Sequence, residues 1–220
     1  MKYRSLIIIV EGHAEEEFVN GLLRAWLGGQ GIHDVRAIKI RTSQTSKGGN
    51  TDYAKFKNDV LRILKKESNV LVTSLIDYFR LPKRFPKQEE ARKIASPEKR
   101  VAFLEESLSS DIASERFIPY IQLHEFEALL FADLKGFGAL PGITARQLSD
   151  IQEIVGKYPN PELINDNPQT APSKRLLTVF PPFKKVLHGN YIILENGFPA
   201  LLEKCPRFRA WAENLVLSMS

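Results

Sequence analysis

Four carboxylates stand where an α/β protein usually does its chemistry. Glu11 ends the apolar run Leu6–Val10, Asp77 ends the run 69–76, and Glu125 and Glu127 follow the run 117–123. A carboxylate at the tip of a buried strand is costly unless something positive meets it. In open α/β sheets the site lies beyond the carboxyl ends of the strands, so neighbouring parallel strands would bring these acids to one edge. Gathered there they repel, and their pKa values rise unless a cation neutralises them. Oxygen-only ligands favour a hard divalent ion, Mg²⁺ or Mn²⁺, over zinc. Glu15 falls in the first turn of the next helix, where negative charge is favoured, and can reach back to the same ion. It can equally belong, with Glu16 and Glu17, to a solvated helix start. In a strand Glu125 and Glu127 point the same way and in a helix they diverge. The helical look of "EFEALLF" predicts that one of the two is a ligand and leaves open which.

The elements that must position these acids are legible in outline. Ser5–Val10 is a short, unalternated, β-branched run, as expected for a strand covered on both faces. Residues 12–28 place Phe18, Val19, Leu22, Leu23 and Trp26 on one helical stripe that stops at a glycine pair. "VRAIKI" alternates as a second strand, and "RTSQTSKGGN" reads as a loop. Thr51 or Asp52 can cap a helix whose buried face is Tyr53, Phe56, Val60, Ile63 and Leu64. After the third strand, Ser96–Pro97 opens a helix with the stripe Val101, Leu104, Leu108 and Ile112. Pro119 puts the fourth strand at an edge or a bulge. This alternation predicts an α/β fold with a mostly parallel sheet flanked by helices. From about Gly136 the chain turns proline- and glycine-rich between short helical pieces, with two helices broken at Pro206 at the end. Residues 136–220 are therefore expected to be a helical C-terminal elaboration packed on the 1–135 domain.

Composition narrows the class. The 220 residues, 43% hydrophobic, can build one substantial core. The apolar runs fall far short of the ~20 residues that cross a bilayer, so no membrane partner is expected. The N-terminus has no secretory signal pattern. A single cysteine, Cys205, rules out an internal disulfide or zinc cluster and suits a cytoplasmic setting. The net charge of +5 is compatible with a polyanionic partner.

The Glu–Gly of "VEGHAEE" resembles the first acidic element of the Toprim fold, the metal-binding domain of topoisomerases, primases and overcoming-lysogenization-defect nucleases. "LIDYF" is similar to the family's Asp-x-Asp element, except that Phe79 stands where the second aspartate would be. The ordered set "VEGHAEEEF", "KGG", "LIDYF", "RFIPYIQLHEFEALLF", "APSKRL" and "CPRFRAW" resembles, over nearly the whole chain, a Toprim-related bacterial family, domain of unknown function 4276. The resemblance implies a Toprim-like metal site, an association with anti-phage defence or mobile elements, and a separate AAA- or SMC-like ATPase partner. Phe79 puts catalysis in question unless Glu125 or Glu127 supplies the missing ligand.

A nuclease also needs positive groups for phosphate and for transition-state charge. Lys47 in "KGGN" is one candidate, since glycines let backbone N–H groups approach an anion. Lys174 and Arg175 of "APSKRL" are suggested by the resemblance. Arg80, Lys83 and Arg84, interleaved with Phe79 and Phe85 after Asp77, could grip a nucleic-acid backbone, or be a solvated loop. His124 is expected to make a structural hydrogen bond. The leading expectation is a Mg²⁺- or Mn²⁺-dependent phosphodiesterase acting on DNA or RNA, with Glu11, Asp77 and Lys174 in catalytic roles. The alternative is a catalytically inactive Toprim-like binding or sensing subunit of an ATPase complex. Topoisomerase chemistry has too little room, and a flavodoxin-like small-molecule enzyme lacks a glycine-rich fingerprint after the first strand.

Overall fold

The computed structural model describes residues 2–39, 53–165 and 167–220. The loop lysine Lys47, with its flanking glycines, lies outside the described residues. In chain order the elements are β1 (Ser5–Val10), α1 (His13–Phe18), α2 (Arg24–Gly29), β2 (Val35–Lys39), α3 (Tyr53–Lys66) and β3 (Val70–Asp77). Then come α4 (Gln88–Ala91), α5 (Pro97–Ile112), the short strands β4 (Phe117–Ile118) and β5 (Ile121–Gln122), and α6 (Lys135–Gly138). The chain ends with α7 (Ala145–Gly156), α8 (Pro172–Val179), α9 (Lys185–Asn196), α10 (Phe198–Lys204) and α11 (Pro206–Met219). A π turn, Val19–Leu23, joins α1 to α2, and a 3₁₀ segment, Phe126–Ala132, follows β5.

The sheet runs β2-β1-β3-β4, with β5 continuing on β3 beyond β4, and every pairing is parallel. Val10 aligns with Leu75, and Asp77 with Gln122, so β1, β3 and β5 finish at the same edge. The predicted fourth strand is split at Pro119, which cannot donate to a ladder. Ser74 closes the gap: its hydroxyl donates to the Tyr120 carbonyl and accepts from the Tyr120 amide.

The central strands are buried along their whole length, and their alternate side chains enter two cores. Leu6, Ile8, Val10, Leu71 and Leu75 pack under the 13–29 helix together with Phe126, Phe137, Phe198, Phe208 and Trp211. Ile7, Ile9, Val70, Val72 and Ile76 pack against α3 and α5. Each such aliphatic side chain contributes about 1.5–3 kcal/mol by leaving water. The first core therefore draws on the C-terminal helices as heavily as on the sheet. Trp211 on α11 donates from Nε1 to Thr73 Oγ1 at 2.9 Å, tying the last helix to the central strand. Among the described residues, no helix is long and apolar enough to cross a membrane.

Candidate metal centre

Parallel β1 and β3 place Glu11 and Asp77 side by side at the carboxyl edge. Gly12 then follows Glu11 in extended backbone, and α1 begins. A Cβ on Gly12 would stand 2.7 Å from Glu15 Oε2, so the glycine is what lets Glu15 fold back over the strand end. Glu15 is accordingly a buried side chain of the site, whereas Glu16 pairs with Lys39 at the rim and Glu17 accepts from Asn190 of α9.

After β5 the chain turns sharply. His124 takes a left-handed conformation, φ 67°, which a non-glycine residue adopts only when its surroundings hold it there. Its carbonyl accepts from Phe79 N, its ring packs on the Phe79 ring at 5.2 Å, and its Nδ1 lies 3.3 Å from Asn165 Nδ2. Burial, with Arg100 nearby, pushes the imidazole pKa down to about 4, so the ring is neutral at pH 7. The turn starts the 3₁₀ segment, whose first amide, Phe126 N, donates to Asp77 Oδ1 at 2.7 Å. In this conformation Glu125 and Glu127 part. Glu125 caps α8 by accepting from Ser173 N at 3.0 Å, while Glu127 turns inward beside Asp77. Of the two acids left open by the sequence, Glu127 is the one buried in the cluster with Lys185.

The positive group that meets these acids is Lys185, at the start of α9. Its Nζ lies 3.1 Å from Glu15 Oε1, 3.0 Å from Glu127 Oε1 and 4.0 Å from Asp77 Oδ2. The helix is fixed firmly enough to aim it. Asn196 accepts from Gly136 N and donates to the Leu130 carbonyl, and α9 rides so close to Gly136 that a Cβ there would sit 2.2 Å from the Ile192 carbonyl.

One ammonium does not balance the set. Burial pushes the pKa of Glu11 well up, with Asp77 and Glu15 adding to it. Burial likewise raises Asp77, and Glu15 and Glu127 outweigh part of what Lys185 restores. Glu127 is raised by burial, with Lys185 pulling the other way. Burial works against the charge on Lys185, yet Asp77, Glu127 and Glu15 overcome it and hold the lysine protonated. Arg80 gains from the same acids despite some desolvation. Glu15 Oε2, Asp77 Oδ2 and Glu127 Oε2 remain buried with no hydrogen-bond donor. Such orphaned oxygens ordinarily cost about 1–3 kcal/mol each, more when charged.

These donors are all oxygens, suited to a hard divalent ion. Among the described residues no group of three or more His, Cys, Asp or Glu side chains is already gathered to hold one; Lys185 sits between the acids instead.

The other expected site residues are dispersed. Lys174 is exposed on α8 and makes no ion pair with the acids, although the start of its helix is capped by Glu125. Arg175 is built into the fold, donating to the Thr170 carbonyl and to Tyr158 Oη. Lys83 and Arg84 are exposed beyond Arg80, which is electrostatically coupled to the acid cluster. Lys185 lay in "FPPFKKVLHGN", where a lysine pair before an apolar helix looks like any solvated helix start.

The model of the family described as Domain of unknown function (DUF4276) matches residues 10–216. A solved structure, the C-terminal region of the OLD protein of Xanthomonas campestris pv. campestris, is similar at 15% identity and a TM-score of 0.47, over 99% of this chain and 96% of that one. No curated protein matches.

Proposed function

The chain belongs to the DUF4276 family, and on that premise we propose that it is a Toprim-type, divalent-metal-dependent nuclease acting on DNA or RNA. The observation that carries this reading is the convergence of Glu11, Glu15, Asp77 and Glu127 at one sheet edge with three buried oxygens left unpaired. Glu11, Asp77 and Glu127 would hold Mg²⁺ or Mn²⁺, with Glu15 beside them. When bound, the ion supplies a Lewis acid that activates water and offsets charge on the phosphate. Lys185 takes the role the sequence suggested for Lys174. It is protonated, held on a rigid helix and within 3–4 Å of the acids, so it can face a phosphoryl oxygen bound at the same edge. Arg80 adds positive charge at the mouth, and Lys83 and Arg84 extend it outward along the path of a nucleic-acid backbone. An ATPase subunit and a role in anti-phage defence belong to the same proposal through the family resemblance.

A second reading is favoured by two observations. Phe79, in place of an acid, is packed on His124, and Lys185 occupies the centre of the acids. In that reading the lysine replaces the metal and the chain is a binding subunit.

Titration calorimetry with Mn²⁺ separates the two, run on the wild type beside Glu11→Gln and Asp77→Asn, with plasmid and RNA cleavage scored on the same samples. The nuclease reading expects Mn²⁺ binding and cleavage in the wild type and loss of both in the variants. A wild type that neither binds Mn²⁺ nor cleaves, alone or with an ATPase partner, makes it a binding subunit.

A further inference from the structure

Helix α9 is apolar on both sides. Gly189, Ile192 and Ile193 face the core, opposite Leu187, Tyr191 and Leu194, which are 62%, 40% and 57% exposed. At about 100° per residue the three exposed side chains fall within about 60° of arc and form one stripe along the helix. Half of the eight large apolar side chains exposed among the described residues, these three and Val186, belong to this helix. A clustered stripe of this kind marks an interaction surface, where scattered exposed leucines would not. Lys185 points away from it, toward the acids.

The charges of α9 say what fits. Lys184 stands at its N-cap and Glu195 in its last turn, each at the end where the helix dipole opposes it. Both lie on the same flank of the apolar stripe. Among the described residues, Glu195 has one loose partner, Lys135 at 3.9 Å, and Lys184 is exposed with no ion pair. In two antiparallel helices related by a two-fold axis, residues on one flank meet their counterparts from the opposite end. We propose that the α9 stripe docks on α9 of a second copy of this chain, antiparallel. Leu187 then meets the partner copy's Leu194, the two Tyr191 rings meet near the axis, and Lys184 pairs with Glu195 twice. Each charge also comes to lie beside the helix end that favours it.

The experiment is sedimentation velocity over a concentration series at low salt, with thermal melts as a folding control. Wild type is expected to show a monomer–dimer equilibrium. Leu187→Glu and Leu194→Glu should abolish it with unchanged melts, because both side chains are exposed in the single chain. Lys184→Glu or Glu195→Lys alone should weaken association about tenfold, since each places like charges across the axis. The double swap Lys184→Glu/Glu195→Lys should restore it. A wild type that stays monomeric throughout, a dimer indifferent to the leucine variants, or a double swap that restores nothing would each overturn the proposal.

Discussion

Two sets of acids are buried in this protein, and they are handled in opposite ways. Glu162 accepts from Arg207 N and Phe208 N at the start of α11, and from Tyr120 Oη. Glu105 accepts from Arg207 Nη2 and Ile121 N. Burial raises the pKa of both, but Arg207 and aligned N–H donors offset it, so the set binds α5, β5 and α11 together. At the strand edge the balance is reversed: four acids meet one lysine and an exposed arginine, and three oxygens find no donor. Burying acids is therefore not the mark of a site; burying them without donors is. The first set spends its hydrogen bonds on the fold, and the second holds affinity in reserve for something else.

Substitutions should separate the two sets cleanly. The largest effect is expected for Glu162→Ala, which strips the start of α11 of its acceptor and leaves Arg207 short of charge. A loss of about 3–5 kcal/mol in denaturant unfolding is expected, with Mn²⁺ binding unchanged in whatever remains folded. Lys185→Met comes next. Removing the ammonium leaves the acids facing one another, so the melting temperature should fall in EDTA and recover in Mn²⁺. Under the nuclease reading cleavage stays lost; if Mn²⁺ restores nothing, the lysine and not a metal is the native cation.

Glu127→Gln should reverse the usual sign of a core polar substitution. It relieves repulsion and should leave the metal-free protein as stable or more so, while abolishing Mn²⁺ binding. The pH dependence follows the same logic. Because folded Glu11, Asp77 and Glu127 have raised pKa values, the folded state holds more protons than the unfolded one. Metal-free stability therefore falls as pH rises from the ordinary carboxylate range through those raised values. Mn²⁺ binding must strengthen over the same window, and Glu127→Gln should flatten the stability profile. Gly12→Ala is the smallest: pushing Glu15 off its position should weaken Mn²⁺ severalfold, with under about 1 kcal/mol of stability lost.

How much of this was legible in the sequence depended on range. β-branched runs announced β1 and β3, and an acid at the end of each announced the edge, because strand ends are local signals. Pro119 announced an edge position or a bulge, and the structure puts β4 at the end of the strand order and splits the run at that proline. Glu127 could not be separated from Glu125, since the choice rests on the left-handed turn at His124, which nothing in "LHEFE" requires. Lys185 was invisible for a different reason: it reaches the acids only after α9 docks on the 3₁₀ segment and α1, a tertiary event with no local signature. Lys174 drew attention through "APSKRL", a segment whose Ser173 amide donates to Glu125 at the start of α8.

The position of Lys185 also sets a calendar for the molecule. The acids come from residues 11, 15, 77 and 127, and the cation that pairs directly with Glu15 and Glu127 arrives only with residue 185. As the chain emerges from the ribosome, the sheet edge can form while only Arg80 offsets its carboxylates. They stay hydrated or protonated until the last third of the chain closes over them. A nascent or truncated chain ending before α9 thus carries the acids without the buried constellation. The charge that completes the centre is also the receipt for a finished fold.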